Sequence, residues 1–171
     1  MTRLKRSVAR LMLLGALPLA GLLAQSAPAA PNPVVGSATG SGHMVRPDGT
    51  FRSFSFSARK HADGTVNGEL QLNSRGFDVF VHIRIDCLRL DGNTAYMSGV
   101  ITHTSNPAEG ELGELNRAIV RDNGEGHGVV DQVSRIPANP GSVDQRTCVD
   151  ESADLFPLRD VQRGNVQVSG G

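Results

Sequence analysis

The sequence predicts an all-β fold, an antiparallel meander that forms a small barrel or sandwich. Three observations support this: apolar and polar residues alternate along several segments, turn signatures separate these segments, and long helical patterns do not occur. With 20 Gly, nine Pro and no Trp, the chain favours frequent turns and a core built from Val, Ile, Leu and six Phe. Because neighbours in sequence form hairpins, we expect one sheet that curls on itself.

The first hairpin can be placed in register from the sequence. One alternating run carries two Phe and an Ala between serines, and a second runs from Val66 to Asn73. Ala62-Asp63-Gly64 between them predicts a three-residue loop with Gly64 in the left-handed conformation. The pairs that follow place apolar or small residues on one face: Phe54 with Leu72, Phe56 with Leu70 and Ala58 with Gly68.

The second hairpin needs a β-bulge. Its first strand has apolar residues at odd positions up to Cys87 and at even positions from Leu88, so we expect one extra residue at Cys87-Leu88. Gly92-Asn93 predicts a two-residue type II′ turn. The expected pairs are Leu90 with Ala95, Leu88 with Met97, Ile85 with Gly99 and Ile83 with Ile101. The same register pairs His103 with Val81 on the apolar face and places His82 on the polar face.

The remaining strands have weaker signals. We expect strands at Ser37–Val45, Leu115–Asp122 and Val129–Ile136, and a last small hairpin at Val161–Val168. The first and last strands should pair, because an open sheet edge invites aggregation.

The N-terminus has the order of a Sec-type signal peptide. Four basic residues precede an apolar run from Leu11 to Leu23, and Ala27-Pro28-Ala29 supplies an A-x-A cleavage pattern. The apolar run is shorter than the roughly 20 residues that a membrane span needs. We therefore predict a signal peptide at 1–29 cleaved after Ala29, a flexible linker at 30–36 and one β domain at 37–171. The expected location is secreted or periplasmic, with no membrane span in the mature chain.

Removal of the signal makes the protein acidic. The chain holds 17 Lys and Arg and 17 Asp and Glu, and the signal contains four of the basic residues and none of the acidic ones. The mature net charge is therefore about −4 with His neutral. An acidic surface without a basic cluster argues against nucleic acid and anionic membranes as partners. We expect a monomer.

Cys87 and Cys148 are the two cysteines of the chain. In an oxidising compartment an even pair favours a disulfide, and two buried free thiols are the alternative. Neither Cys lies in a dithiol motif, which argues against a catalytic thiol.

The acidic loop that begins at Asp122 suggests a metal site. Asp122, Glu125 and the downstream Asp131 offer carboxylate oxygens on a Gly-rich loop, and Ca²⁺ prefers such ligands. The spacing differs from a helix-flanked calcium loop, because the alternate positions are glycines. A β-turn at Asn123-Gly124 is the favoured competing interpretation. No other cofactor is indicated.

Catalytic motifs are not evident in the sequence. The five His lack the spacing of a zinc site, and no G-x-S-x-G nucleophile elbow occurs. A Ser/His/Asp site stays open as an alternative, because triads are not read from chain order.

Several short motifs form a recognisable pattern. They are Phe54-Ser-Phe56-Ser-Ala58, Asp63-Gly64, Ile85-Asp86-Cys87-Leu88, Gly92-Asn93-x-Ala95, Ser98-Gly99 and Asp122-Asn123-Gly124-Glu125-Gly126. Together they resemble a family of secreted bacterial all-β domains of unknown function. The resemblance covers most of the mature chain and implies an envelope or extracellular setting and structural roles for the glycines. It implies no activity and no catalytic residues.

Three functions remain open. The first is a non-catalytic binding or structural module that acts through a sheet face or a loop. The second is a secreted hydrolase with a site at the barrel mouth, and a carrier of a small apolar ligand is a third. A pocket with His and two carboxylates would favour the hydrolase. An interior filled by Phe, Leu and Ile would favour the binding module.

Overall fold

A computed structural model describes residues 31–45, 49–74, 79–134, 144, 146–149 and 157–170. Within these residues, nine strands lie in one antiparallel sheet that curls into a half-barrel, which confirms the predicted all-β meander. The strands are β1 (Val34–Val45), β2 (Phe51–His61), β3 (Val66–Ser74), β4 (Val79–Asp91), β5 (Thr94–Thr104), β6 (Leu115–Arg121), β7 (Gln132–Ser134), β8 (Leu158–Asp160) and β9 (Arg163–Ser169). A short 3₁₀-helix, Pro107–Glu109, lies between β5 and β6.

The strand order places the last strand beside the first. β1 to β8 follow one another across the sheet, and β9 pairs with the free side of β1. The predicted pairing of first and last strands is therefore confirmed. The predicted hairpin at Val161–Val168 is wrong, because Arg163–Ser169 runs as a single strand along β1, from His43 to Ser37. β8 and β9 lie at opposite ends of the strand order, although two residues separate them in sequence.

The β2–β3 hairpin has the predicted register. Its pairs are Phe54 with Leu72, Phe56 with Leu70 and Ala58 with Gly68. The amide of His61 donates to the Thr65 carbonyl at 2.9 Å, and Gly64 has φ 86°, so the three-residue loop is confirmed. Hydrogen bonds from Asn32 and Thr65 lower the pKa of Asp63 in this loop to about 2. The turn is thus held by a charged acceptor.

The β4–β5 hairpin also has the predicted pairs and turn. Leu90 lies opposite Ala95, Leu88 opposite Met97, Ile85 opposite Gly99 and Ile83 opposite Ile101. The register shifts between Ile85 and Cys87, so the extra residue is Asp86, one position before the predicted bulge. Gly92 has φ 57° and Asn93 is not among the residues with positive φ, as a type II′ turn requires.

A second bulge in this hairpin changes the position of the histidines. The register shifts again between His82 and Ile83, and Thr102 is the extra residue on β5. His103 therefore lies opposite His82, and its predicted pairing with Val81 on the apolar face is wrong. The ring of Phe80 lies 5.4 Å from the His82 ring and 5.7 Å from the His103 ring. The sequence hid this bulge, because Thr102 to Thr104 are all polar and show no change of phase.

The concave face of the sheet is filled by apolar side chains. Buried residues alternate with more exposed ones along β2 and β4, as a half-buried sheet requires. The largest fully buried apolar side chains are Ile83, Ile85, Met97, Ile101, Val81, Val120, Val133 and Val166. The rings of Phe54 and Phe56 stack with centroids 6.2 Å apart. Each large side chain contributes about 1.5–3 kcal/mol through burial.

Three strand boundaries differ from the prediction. β6 ends at Arg121, one residue before the predicted end at Asp122. β1 begins at Val34, so the last three residues of the predicted linker belong to it. β7 covers Gln132–Ser134 of the predicted strand, while Val129 and Val130 are exposed. The predicted signal peptide and its cleavage point lie outside the described residues. No helix in the described part of the chain is long and apolar enough to cross a membrane.

The predicted disulfide is confirmed. Cys87 on β4 bonds to Cys148, with the two Cα atoms 5.4 Å apart. Cys87 lies opposite Ser98, and Ser98 lies opposite Arg117. This row points to the face of the sheet opposite to that of the core residue Leu88, yet all three side chains are buried. The disulfide therefore attaches Cys148 to β4 on the face opposite to that of Leu88. The disulfide fits an extracellular or periplasmic protein.

Candidate functional site

A groove of about 480 Å³ opens on the outer face of the sheet. Its described lining residues are His43, Phe51, Ser53, Asn73, Gln162 and Arg163. They come from four strands and from the corner between β8 and β9. We call it the outer groove.

Strand register aligns four of these side chains in one row. Arg163 lies opposite His43, His43 opposite Ser53, and Ser53 opposite Asn73. Side chains at directly opposed positions point to the same face and lie on the order of 5 Å apart. The row therefore presents a guanidinium, an imidazole, a hydroxyl and a carboxamide in a line across β9, β1, β2 and β3.

Phe51 supplies the apolar part of the outer groove. Its side chain is 64% exposed, while its neighbours Arg52 and Phe54 are buried. It lies two residues from Ser53 on the same face of β2, since successive side chains alternate between faces. An exposed aromatic ring beside hydrogen-bonding groups is a common composition of small ligand sites.

The backbone fixes the corner that completes the outer groove. The Gln162 amide donates to the His43 carbonyl at 2.8 Å, and the Val161 amide donates to the Asp131 carbonyl at 2.8 Å. The corner is thus bonded on one side to β1 and on the other to the residue before β7. This arrangement brings Gln162 and Arg163 to the groove from a part of the chain more than 110 residues away from His43 and Phe51.

The three predicted metal-site carboxylates all lie beside β9. Asp131 accepts hydrogen bonds from the amides of Asn123 at 2.9 Å and Val166 at 2.7 Å. Asp122 accepts from the amides of Gly124 at 2.8 Å and Val168 at 3.0 Å. Each carboxylate therefore bridges its own loop and the backbone of β9.

The third carboxylate contacts β9 through a side chain. Glu125 accepts from the Asn165 carboxamide at 3.0 Å. No group of three His, Cys, Asp or Glu side chains in the described residues is arranged to hold a metal ion. The calcium site stays a prediction, and the structure gives its residues a different role.

That role is to accept hydrogen bonds from backbone amides on the outer edge of β9, which is the edge that faces away from β1. Val166 and Val168 lie opposite Gly40 and Ala38, and their amides point away from β1. An unpaired edge amide that is buried costs free energy, so it needs an acceptor. Asp122 and Asp131 act as those acceptors. We call this line of contacts the carboxylate seam.

A smaller cavity of about 240 Å³ lies between the acidic loop and β9. Its lining includes Glu125, Asp131 and Val130, and it shares Gln162 and Arg163 with the outer groove. The carboxylate seam and the outer groove are therefore neighbours, and Arg163 borders both.

Sequence reasoning missed the outer groove. Its polar residues occupy the outward positions of strands, where alternation predicts only solvent-exposed side chains. Phe51 gave the one local signal, since it breaks the alternation as an apolar residue at an odd position of β2. The comparisons with known proteins give no further guide: no family model, curated protein or solved structure matches the chain.

Proposed function

We propose that this protein is an exported, non-catalytic binding module whose ligand site is the outer groove. The observation that carries this proposal is the row from Arg163 to Asn73 beside the exposed ring of Phe51. Four strands hold the row rigidly, and such pre-organisation reduces the entropy lost on binding. The ligand would contact hydrogen-bonding side chains and one aromatic face.

The alternatives have less support. A carrier of an apolar ligand needs interior space, whereas the concave face of the described sheet is filled by packed side chains. A hydrolase site would combine His with two carboxylates, and the described lining of the outer groove contains one His and no acidic residue. Both points favour binding over catalysis.

Export is the second part of the proposal. The order of charged, apolar and small residues at 1–29 and the Cys87–Cys148 disulfide both support it. The motif resemblance to secreted bacterial β domains agrees with this setting, and we propose membership of that family.

We expect the mature protein to begin at Ala30. Expression of the full chain in a bacterial host with a Sec pathway should give periplasmic or secreted protein. Its intact mass should equal that of residues 30–171 minus the two hydrogens lost when the disulfide forms. Ala27→Leu with Ala29→Leu should block cleavage, because the A-x-A pattern is lost. A full-length mass in the exported fraction of the unaltered chain would contradict the cleavage point.

Replacing the exposed aromatic ring should weaken ligand binding at the outer groove. Binding is measured by NMR with a fragment set that contains sugars, amino acids, nucleotides and fatty acids. We expect at least one class to shift the amide signals of Ser53, Asn73 and Arg163. Phe51→Ser should weaken that binding by about tenfold, the equivalent of ~1.4 kcal/mol.

Leu112→Ser is the matched control for this experiment. Leu112 is 68% exposed, close to the 64% of Phe51, and does not line the outer groove. This variant should bind like the unaltered protein. Signal changes at the outer groove with no fragment class, or equal losses in both variants, would overturn the proposed site.

A further inference from the structure

The outer face around the groove consists mainly of uncharged polar side chains. Ser and Thr hydroxyls and Asn and Gln carboxamides each both donate and accept hydrogen bonds. On β9, β1, β2 and β3 most outward positions are of this kind, among them Asn165, Ser41, Ser53, Ser55, Gln71 and Asn73. A surface of this composition matches a ligand that carries many hydroxyl groups.

The exposed aromatic ring supports the same class of ligand. A sugar ring presents C–H bonds on its face and hydroxyls around its rim. The C–H face packs on an aromatic ring, and the rim hydroxyls reach neighbouring polar side chains. Phe51 beside Ser53 and Asn73 offers both kinds of contact.

Other classes of ligand fit the groove less well. A peptide that binds by adding a strand needs an open sheet edge, whereas His43 on β1 and Ser53 on β2 are each paired on both sides. A nucleic acid needs several cations, and Arg163 is the one Arg in the described lining. A lipid chain needs a continuous apolar wall, whereas Phe51 is the one large apolar residue among those lining residues.

The charge of the groove favours an acidic ligand. The described lining contains no Asp or Glu, and no described carboxylate forms an ion pair with Arg163. A guanidinium can bind a carboxylate through two parallel hydrogen bonds. An exposed guanidinium at the end of the row is therefore suited to a sugar carboxylate.

The dimensions of the groove accommodate more than one sugar ring. Arg163 and Phe51 lie two strands apart and two residues apart along the strand. With strands spaced about 4.8 Å and residues about 3.4 Å apart, the Cα atoms are separated by roughly 12 Å. The groove therefore has room for a chain in which the stacked ring and the paired carboxylate belong to different sugars.

We infer that the outer groove binds an acidic carbohydrate chain that crosses the strands. One ring stacks on Phe51, the carboxylate of another sugar pairs with Arg163, and hydroxyls contact His43, Ser53 and Asn73. This inference rests on the proposed binding function and names its ligand class.

The test compares acidic and neutral chains of equal length by titration calorimetry. The acidic probes are tetramers of galacturonate, of mannuronate and of hyaluronan, and the neutral probe is cellotetraose. At least one acidic tetramer should bind the mature protein about tenfold more tightly than cellotetraose, as a charge-assisted contact predicts. The matching monosaccharide should bind more weakly than its tetramer.

Two variants with the same change of charge assign the effect to Arg163. Arg163→Gln should weaken binding of that tetramer by about tenfold and leave cellotetraose binding unchanged. Arg59→Gln should have no effect, because Arg59 lies opposite Ser37 and Asn67, outside the groove.

The outcomes separate the ligand class from the binding site. If no acidic tetramer binds, or if neutral chains bind equally well, the inference fails. The proposed function would still stand if another fragment class perturbs the outer groove in a Phe51-dependent way. If both experiments show no groove binding, both proposals fail.

Discussion

Removing the disulfide should lower the free energy of unfolding by about 4 kcal/mol. The bond joins residues that are 61 positions apart, so in the unfolded chain it closes a long loop. Without the bond the unfolded ensemble gains conformational entropy, and the folded state becomes relatively less stable. A domain of this size is stable by only about 5–15 kcal/mol, so the loss is a large fraction of the total.

The folded state also loses an anchor. Cys148 is 1% exposed, and its disulfide attaches it to the buried Cys87 on β4. Arg89 adds to this contact, because its Nε donates to the Thr147 carbonyl at 3.3 Å while its guanidinium lies 3.8 Å from the Tyr96 ring. Without the bond, the buried side chains at positions 87 and 148 lose this attachment.

The measurement is urea unfolding of the mature protein and of the double variant Cys87→Ala with Cys148→Ala. Replacing both residues avoids a free thiol that would form mixed disulfides. Unaltered protein in reducing buffer is the control and should unfold at the same urea concentration as the variant. A difference under about 1 kcal/mol from the oxidised protein would contradict the stabilising role.

Asp131→Asn should lower the free energy of unfolding by about 3 kcal/mol. Asp131 is 6% exposed, and each of its two oxygens accepts one backbone amide, from Asn123 and from Val166. A carboxamide keeps one acceptor oxygen and places an NH₂ group against the other amide. One buried amide is then left without an acceptor, and the charge that strengthened both bonds is gone.

Glu125→Gln is the matched control, since it makes the same chemical change in the same loop. Its contact with Asn165 is exposed, and a Gln oxygen can still accept that bond. We expect a change within about 0.5 kcal/mol. Equal effects of the two substitutions would show that the loss of a charge, and not the carboxylate seam, controls stability.

The same samples test the calcium hypothesis. A bound ion would raise the thermal midpoint of the folded protein in excess calcium relative to a chelator. We expect no difference, because Asp122 and Asp131 already accept backbone amides in both their loop and β9. A calcium-dependent rise that Asp131→Asn abolishes would instead establish a metal site.

The carboxylate seam also matters for the proposed ligand site. It holds β9 against the acidic loop, and β9 begins with Arg163. A variant that loosens β9 would therefore displace the guanidinium from the row and weaken binding as a secondary effect. For this reason the binding experiments use Arg163→Gln and Phe51→Ser, whose side chains are exposed.

Much of the fold could be predicted from local sequence. Both hairpins have the predicted pairs near their turns, because the alternation of two neighbouring strands and the short turn between them constrain the same register. The disulfide followed from cysteine number and compartment. The bulge near Cys87 could be predicted from the sequence, because it shifts the apolar residues from odd to even positions. The bulge at Thr102 was not visible, because no apolar residue follows it on β5.

The candidate site could not be predicted in this way. Gln162 and Arg163 reach His43, Phe51 and Ser53 only because β9 crosses to the free side of β1. The same crossing brings the outer edge of β9 to Asp122 and Asp131, which accept hydrogen bonds from its amides.

The sequence by itself determined β1 to β6, the hairpin pairs nearest both turns and the cysteine pair, because each depends on residues close in sequence or on a count. Only the tertiary structure decided where the last strand lies, which side chains line the groove and what the acidic loop does. Those features depend on pairing between residues more than 100 positions apart. That pairing depends on how the whole sheet assembles and not on any local sequence pattern.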